Sequence, residues 1–308
     1  MREIAVVAFH QSDCMAQAGA ANEVELIMPE LRAVFDQVGL RNAQDVDFVC
    51  SGSCDYLQGA AFAFVAGVDA VGAVPPIKES HVEMDAAWAL YESVLKIRMG
   101  HADSALIYGF AKSSAGELPV VLSQQLDPYY LAPLWVDTIS LAALQARLLL
   151  DRGLATEQDL AEVVAPAAMI IATVDKARAG GVPYAVMSGI DHRIESHNLG
   201  VRDLTDSVST RLAARASGLG AGRVDVAELH APFSHQEIIL SRVLGLDGET
   251  AVNPSGGVLA GNVMMAAGLC RVGEVFNRIV RGEAERGVAH ATAGPCLQQN
   301  LVTVLERA

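Results

Sequence analysis

Short apolar runs separated by helical segments most constrain what this chain can fold into. IAVVAFH, VDFVCSGS, SALIYGF, VPYAVMSGI (182–190) and LVTVLER each have the length of a buried strand. Between them lie segments with helical spacing. ANEVELIMPELRAVFDQVGL ends at Gly39, and a helix over about 84–99 stops at Gly100. A loop broken by Pro75 and Pro76 precedes that second helix. ISLAALQARLLLDRG is a further helix, and NPSGG leads into another. Strands alternating with helices predict an α/β fold. The second half repeats the theme of the first, which suggests an internal duplication.

Composition narrows the function classes. The 308 residues are 52% hydrophobic and 5% aromatic, ample for a large core. No apolar window has the length of a membrane span, and the first residues read as a strand and loop rather than a signal peptide. A cytoplasmic protein is expected. The net charge is −14, with no Lys/Arg run, which argues against nucleic acid and anionic membranes as partners. The five cysteines (Cys14, Cys50, Cys54, Cys270 and Cys296) are odd in number and scattered, as for reduced thiols. CSGSC lacks the second cysteine pair a zinc site needs, so no metal is expected.

Three loops of the second half carry polar groups: ELHAPF (228–233), NPSGGVLAGN (253–262) and HATAGPCLQQN (290–300). Loops at strand ends are where α/β proteins build sites. The glycines of the second loop let backbone approach a ligand closely.

In this order and spacing the three loops resemble the C-terminal half of the thiolase superfamily, in particular its sterol-carrier-protein thiolase and lipid-transfer branch. His230-Ala231-Pro232-Phe233 stands for one family loop, NPSGGVLAGNV for the Asn-x-x-Gly-Gly-x-x-x-Gly-His-Pro loop, and GPCLQQNLVTVLER for the last. AAWALYESVLKIRMGHADSALIYGFAKSS is similar to the nucleophile helix and the turn and strand after it. The resemblance implies two pseudo-symmetric βαβαβαββ halves in a five-layer α-β-α-β-α sandwich. It places the N-terminal half at 1–112, a shortened connecting segment at 113–195 and the C-terminal half at 196–308. It also implies a homodimer and an acyl-CoA thioester as substrate, with no tightly bound cofactor.

The departures from the family pattern concern the chemistry. Counted back from Gly100, the nucleophile position falls on Glu83, with no cysteine nearby. A carboxylate is a poor substitute for a thiolate in acyl transfer from a thioester. The loop histidine is replaced by Asn262, which can donate to an oxyanion but cannot exchange protons near neutral pH. The second family cysteine falls on Gly294, two residues before Cys296. The connecting segment shows no basic cluster for the CoA phosphates.

Some thiolase-like proteins of the lipid-transfer branch lack the nucleophile, work with a small zinc-ribbon/OB-fold partner and are retro-aldolases of steroid side-chain degradation. The corresponding expectation is retro-aldol cleavage of a β-hydroxyacyl-CoA, with His230, Asn262, Cys296 and Glu83 as catalytic candidates. Ser255, Gly256, Gly257, Gly261, His81 and His290 are the substrate-binding candidates, and Tyr129 or Tyr130 is a further candidate for the base or donor of the retro-aldol step. A non-catalytic supporting subunit and an acyltransferase using Cys296 are the alternatives.

Overall fold

The computed structural model describes residues 2–12, 21–72, 77–112, 117–156 and 168–308. Cys14, Pro75 and Pro76 lie outside them. In chain order the strands are β1 (Ile4–His10), β2 (Phe48–Gly52), β3 (Glu79–Val82), β4 (Ser104–Gly109), β5 (Ala168–Thr173), β6 (Ala185–Ile194), β7 (Val226–Leu229), β8 (Ala251–Val252), β9 (Arg286–Ala293) and β10 (Gln299–Arg307). The α-helices are α1 (Glu23–Val38), α2 (Asp55–Gln58), α3 (Phe64–Val71), α4 (Ala86–Arg98), α5 (Leu118–Gln124), α6 (Thr138–Asp151), α7 (Val174–Gly180), α8 (Val208–Ala216), α9 (Ser234–Leu244) and α10 (Ala267–Val280).

The strands form one continuous series, β3-β2-β4-β5-β1-β6-β10-β9-β7-β8. The join at its centre is narrow: β1 meets β6 through Ala5–Val186 and Val6–Ala185. Outward from the join, each half runs in the order first, fifth, fourth, second, third strand. The pairings match too. β1–β5 and β5–β4 are antiparallel, as are β6–β10 and β10–β9. β4–β2–β3 and β9–β7–β8 are parallel. The duplication read from the sequence is therefore present in the topology. Strands β5 and β6 both fall within 113–195, so the end of that segment is sheet rather than connection.

Burial follows the five layers. One outer core packs α1 and α7 against the N-terminal strands, and the other packs α8 and α9 against the C-terminal ones. The largest cluster lies between, where α4 and α10 are sandwiched by both half-sheets. Both helices bury most of their length, while Glu92, Lys96 and Arg98 of α4 and Glu274, Asn277 and Arg278 of α10 keep a partly exposed polar side.

Gly268 allows α4 and α10 to touch. A Cβ there would meet the Cβ atoms of Ala291 at 2.5 Å and Ala87 at 2.9 Å. Replacing Gly268 by Ala is expected to destabilise the fold by about 1–3 kcal/mol through overpacking. Urea denaturation of the variant checks this, and an unchanged midpoint would contradict the packing described.

Candidate functional site

Asp85 sits where the two central helices meet. It caps α4 by accepting from Ala87 N at 2.8 Å. The same carboxylate accepts from Gly268 N at 2.8 Å and Leu269 N at 3.3 Å, at the start of α10. Two helix N-termini thus converge on one acid, a placement their dipoles favour. Burial nevertheless pushes the Asp85 carboxyl up to about 6, with the three backbone donors opposing the shift. Sequence reasoning passed over this residue. Its signal was an aspartate directly before the helical run AAWALYE.

The NPSGG loop is held from beneath by a buried ion pair. Glu228, on β7, is completely buried, and Arg271, on α10, is 1% exposed. Arg271 Nη1 donates to Glu228 Oε2 and to Ser255 Oγ, both at 2.7 Å. Ser255 closes the triangle, donating to Glu228 Oε2 from Oγ at 2.7 Å and to Oε1 from N at 3.1 Å. Asn253 locks the loop's other shoulder. Its Oδ1 accepts from Leu229 N and its Nδ2 donates to Glu237 Oε2, each at 2.6 Å. Asn253, Gly256 and Gly257 all have positive φ, and Gly261 N closes a turn onto Val258 O. Ser255 and Asn253 therefore build the loop. Gly256, Gly261 and Asn262 form the surface that remains, whereas Gly257 is buried. Asn262 is exposed, and its Oδ1 accepts from Met264 N at 2.9 Å, which leaves the amide nitrogen as a donor.

His230 follows β7 and is 5% exposed. Its Nδ1 accepts from Thr292 N at 3.4 Å, which places the proton of the neutral ring on Nε2. Burial, together with the charges of His290 and Arg271, lowers His230 to about 3. The ring is thus a hydrogen-bond donor at neutral pH.

His290 lies on the other face of its sheet. Strand alternation puts Ala289 and Ala291 in the central cluster and Val288 in the outer one, so His290 points outward beside Val288. There Nε2 pairs with Asn300 Oδ1 at 2.9 Å, and Asn300 Nδ2 donates to Ser209 Oγ at 2.7 Å and Leu297 O at 2.8 Å. His290 is lowered to about 4, mainly by burial.

Cys296 is 4% exposed and packs with Leu126, Leu131 and Leu141. Its thiol approaches Leu141 O at 3.5 Å, and burial pushes it up to about 11. Such a thiol does not ionise near neutral pH.

Glu83 and His81 form a pair at the edge of the N-terminal half, with Nε2 and Oε2 3.2 Å apart. His81 also bonds Ser51 Oγ at 3.0 Å and stacks on Phe64, while Glu83 accepts from Asp55 N. Glu83 is exposed and precedes the capped start of α4 by two residues. Tyr129 and Tyr130 lie on the surface, 82% and 50% exposed. The candidates divide into those around the joined starts of α4 and α10 and those in the core. His230 and the glycine loop share the C-terminal half beside α10, Glu83 and His81 border the start of α4, and His290 and Cys296 are core residues.

A cavity of about 460 Å³, lined by Gly218–Val224 and Leu244–Asp247 among others, opens at the opposite end of β7 from His230. Among the described residues no cluster of His, Cys, Asp and Glu could hold a metal ion. No described helix is long and apolar enough to cross a membrane.

The buried histidines predict a pH dependence. His230, His290 and His235 are all lowered, to about 3, 4 and 4, from an ordinary 6.5. Below 6.5 the unfolded chain takes up protons that the folded chain refuses. Stability is therefore full above about 6.5 and declines as the pH falls toward 4. Asp85, raised to about 6, and Glu274, also raised by burial, act in the opposite sense, but as two groups against four, since burial lowers His192 as well. The urea midpoint is expected to be lower at about pH 5 than at about pH 7.5, and a flat profile would contradict the burial of these rings.

No protein-family model matches the chain. No curated protein sequence matches it either. Solved structures do. The chain is similar to human mitochondrial 3-ketoacyl-CoA thiolase, with a TM-score of 0.73 and 15% identity over 100% of this chain and 99% of that one. It is equally similar to that enzyme in complex with CoA, with a TM-score of 0.73 and 15% identity over 100% and 98%. The chain therefore has the thiolase fold along its whole length.

Proposed function

We propose that this chain is a member of the thiolase superfamily, of its lipid-transfer branch, that acts on acyl-CoA thioesters without a covalent thiol. Its reaction is retro-aldol cleavage of a β-hydroxyacyl-CoA from a steroid or other lipid side chain, carried out with a zinc-ribbon/OB-fold partner. The observation that carries this reading is the start of α4. Its first residues, Asp85 and Ala86, are buried and carry no thiol, and the Asp85 carboxylate is tied to two helix N-termini. The likeness in fold to a thiolase solved with CoA supports the substrate class.

The parts have these roles. Glu83, steadied by His81, takes the proton of the β-hydroxyl. The Cα–Cβ bond breaks as the β-carbon becomes a ketone. The electron pair passes to the thioester as an enolate, whose oxygen accepts from His230 Nε2–H and the Asn262 amide. Glu83 then gives that proton to the α-carbon, which yields the shortened acyl-CoA and restores the carboxylate. The glycines of 256–261 let the loop backbone approach the thioester. Cys296 takes no part, since its thiol is buried against Leu141.

One observation favours a supporting subunit as the second reading. Trp135 is 95% exposed, and Tyr129, Leu134 and Ile139 beside it are 61% exposed or more. An apolar surface of this kind suits a protein partner. The test incubates the chain, alone and co-expressed with a zinc-ribbon/OB-fold protein, with a β-hydroxyacyl-CoA carrying a steroid side chain. Mass spectrometry is expected to find the ketone and the shortened acyl-CoA. Absence of both products from either preparation, with the partner still bound, would leave the supporting subunit.

A further inference from the structure

The register of β4, β2 and β3 sets a polar row across the outer face of the N-terminal half. Ser51 on β2 stands opposite Tyr108 on β4 and opposite His81 on β3. Register partners point to the same face, and Val49, two residues before Ser51, lies in the outer core with Tyr108. Glu83 follows His81 by two residues, just past the end of β3. Hydrogen bonds join the four side chains. The Tyr108 hydroxyl bonds Ser51, Ser51 Oγ lies 3.0 Å from His81 Nδ1, and His81 Nε2 lies 3.2 Å from Glu83 Oε2. The row runs from core to surface. Tyr108 is 2% and Ser51 3% exposed, whereas the side chains of His81 and Glu83 are 13% and 46% exposed.

The inner end of the row sets the direction of its hydrogen bonds. Helix α3 closes over the Tyr108 hydroxyl, where a Cβ on Gly67 would meet the oxygen at 2.8 Å. Burial raises that hydroxyl, so it keeps its proton. Ser51 is its partner, and a buried O–H without an acceptor is costly, so Tyr108 donates to Ser51 Oγ. Ser51 has one hydroxyl proton and gives it to His81 Nδ1. His81 then carries its ring hydrogen on Nε2 and donates it to Glu83 Oε2. The reverse direction would strand the Tyr108 proton. Phe64, stacked on the imidazole at 4.6 Å, holds the ring plane, and Asp55 N donates to Glu83 Oε1. Both carboxylate oxygens are thus held while the group stays open to solvent.

We propose that Tyr108 and Ser51 are positioning residues for Glu83. They fix the Nε2–H form of His81, and that N–H holds the carboxylate where it takes the β-hydroxyl proton. Neither residue touches substrate. The assignment rests on the reading of Glu83 as the base of the retro-aldol step.

The experiment measures kcat and KM for β-hydroxyacyl-CoA cleavage, thermal unfolding, and the His81 tautomer by long-range proton–nitrogen NMR of the full chain. The variants are Ser51→Ala, Ser51→Thr and Tyr108→Phe, with His81→Gln assigning the signal among the eight histidines. Wild-type His81 is expected in the Nε2–H form. Ser51→Ala should populate both forms and lower kcat about tenfold, a part of the roughly 10²–10⁴-fold that an acid–base residue supplies, with KM little changed. Thr keeps the hydroxyl and should restore both readings. Tyr108→Phe deletes one hydroxyl and should move tautomer and kcat in the same direction as Ser51→Ala, which keeps the test open should the Ser51 variants not fold. A merely structural row would lower the unfolding temperature with tautomer and kcat unchanged, and that result overturns the proposal. Wild-type His81 in the Nδ1–H form overturns it too. Cleavage that survives Ser51→Ala and Tyr108→Phe overturns the row alone and leaves the retro-aldol reading standing. Absence of cleavage by the wild type overturns that reading, and the role of the row with it.

Discussion

Replacing Arg271 by Met while Glu228 remains is expected to cost about 3–5 kcal/mol of stability, because an uncompensated carboxylate is left in the core. Neither side chain reaches solvent, and the guanidinium serves Glu228 and Ser255 at once. Loss of Arg271 therefore also loosens the anchor of the NPSGG loop. The paired change Glu228→Gln with Arg271→Met removes both charges and should recover most of the loss. Urea denaturation of wild type and the two variants measures this. A single-variant cost below about 1 kcal/mol, typical of exposed pairs, would contradict the buried geometry.

The second large effect concerns His230. With Nδ1 occupied by Thr292 N–H, the ring offers one donor, Nε2–H. Replacing it by Ala should lower the cleavage rate about 10²–10³-fold, the usual loss of one oxyanion donor, with the fold retained. Gln, whose amide also donates, should retain part of the rate. His290→Ala should behave differently. It strips Asn300 Oδ1 of its buried partner and so lowers the urea midpoint. Steady-state rates and circular dichroism of the three variants separate these outcomes. Equal losses at both positions would contradict the opposite placement of the two rings.

Much of the architecture was legible because it is local. The helix expected over 84–99 spans Ala86–Arg98, and α1 ends at Gly39 with a positive φ, as the sequence signals. Strand β5 was not legible. AMIIAT is a short, wholly buried run, and such a run has no periodicity that separates strand from helix.

The site was legible as loops but not as partners. NPSGG stood out by its glycines. Its supports, Glu228 and Arg271, are 43 residues apart, and Arg271 lies within an apolar helical run. Nothing local marks such a pair. Counting back from Gly100 pointed to Glu83 and passed over Asp85, the cap of the helix that begins at Ala86. Cys296 was singled out because it stands two residues after Gly294, where the resemblance places the second family cysteine. Its contact with Leu141, 155 residues earlier, lies outside what a local reading can reach.

The central claim is C–C cleavage without a covalent thiol. The rate of β-hydroxyacyl-CoA cleavage by the Cys54→Ser/Cys296→Ser double variant, measured beside wild type, tests it most directly. The account predicts cleavage by both chains at comparable rates. No cleavage by either, or a loss confined to the variant with an acyl adduct on wild-type cysteine, would contradict it.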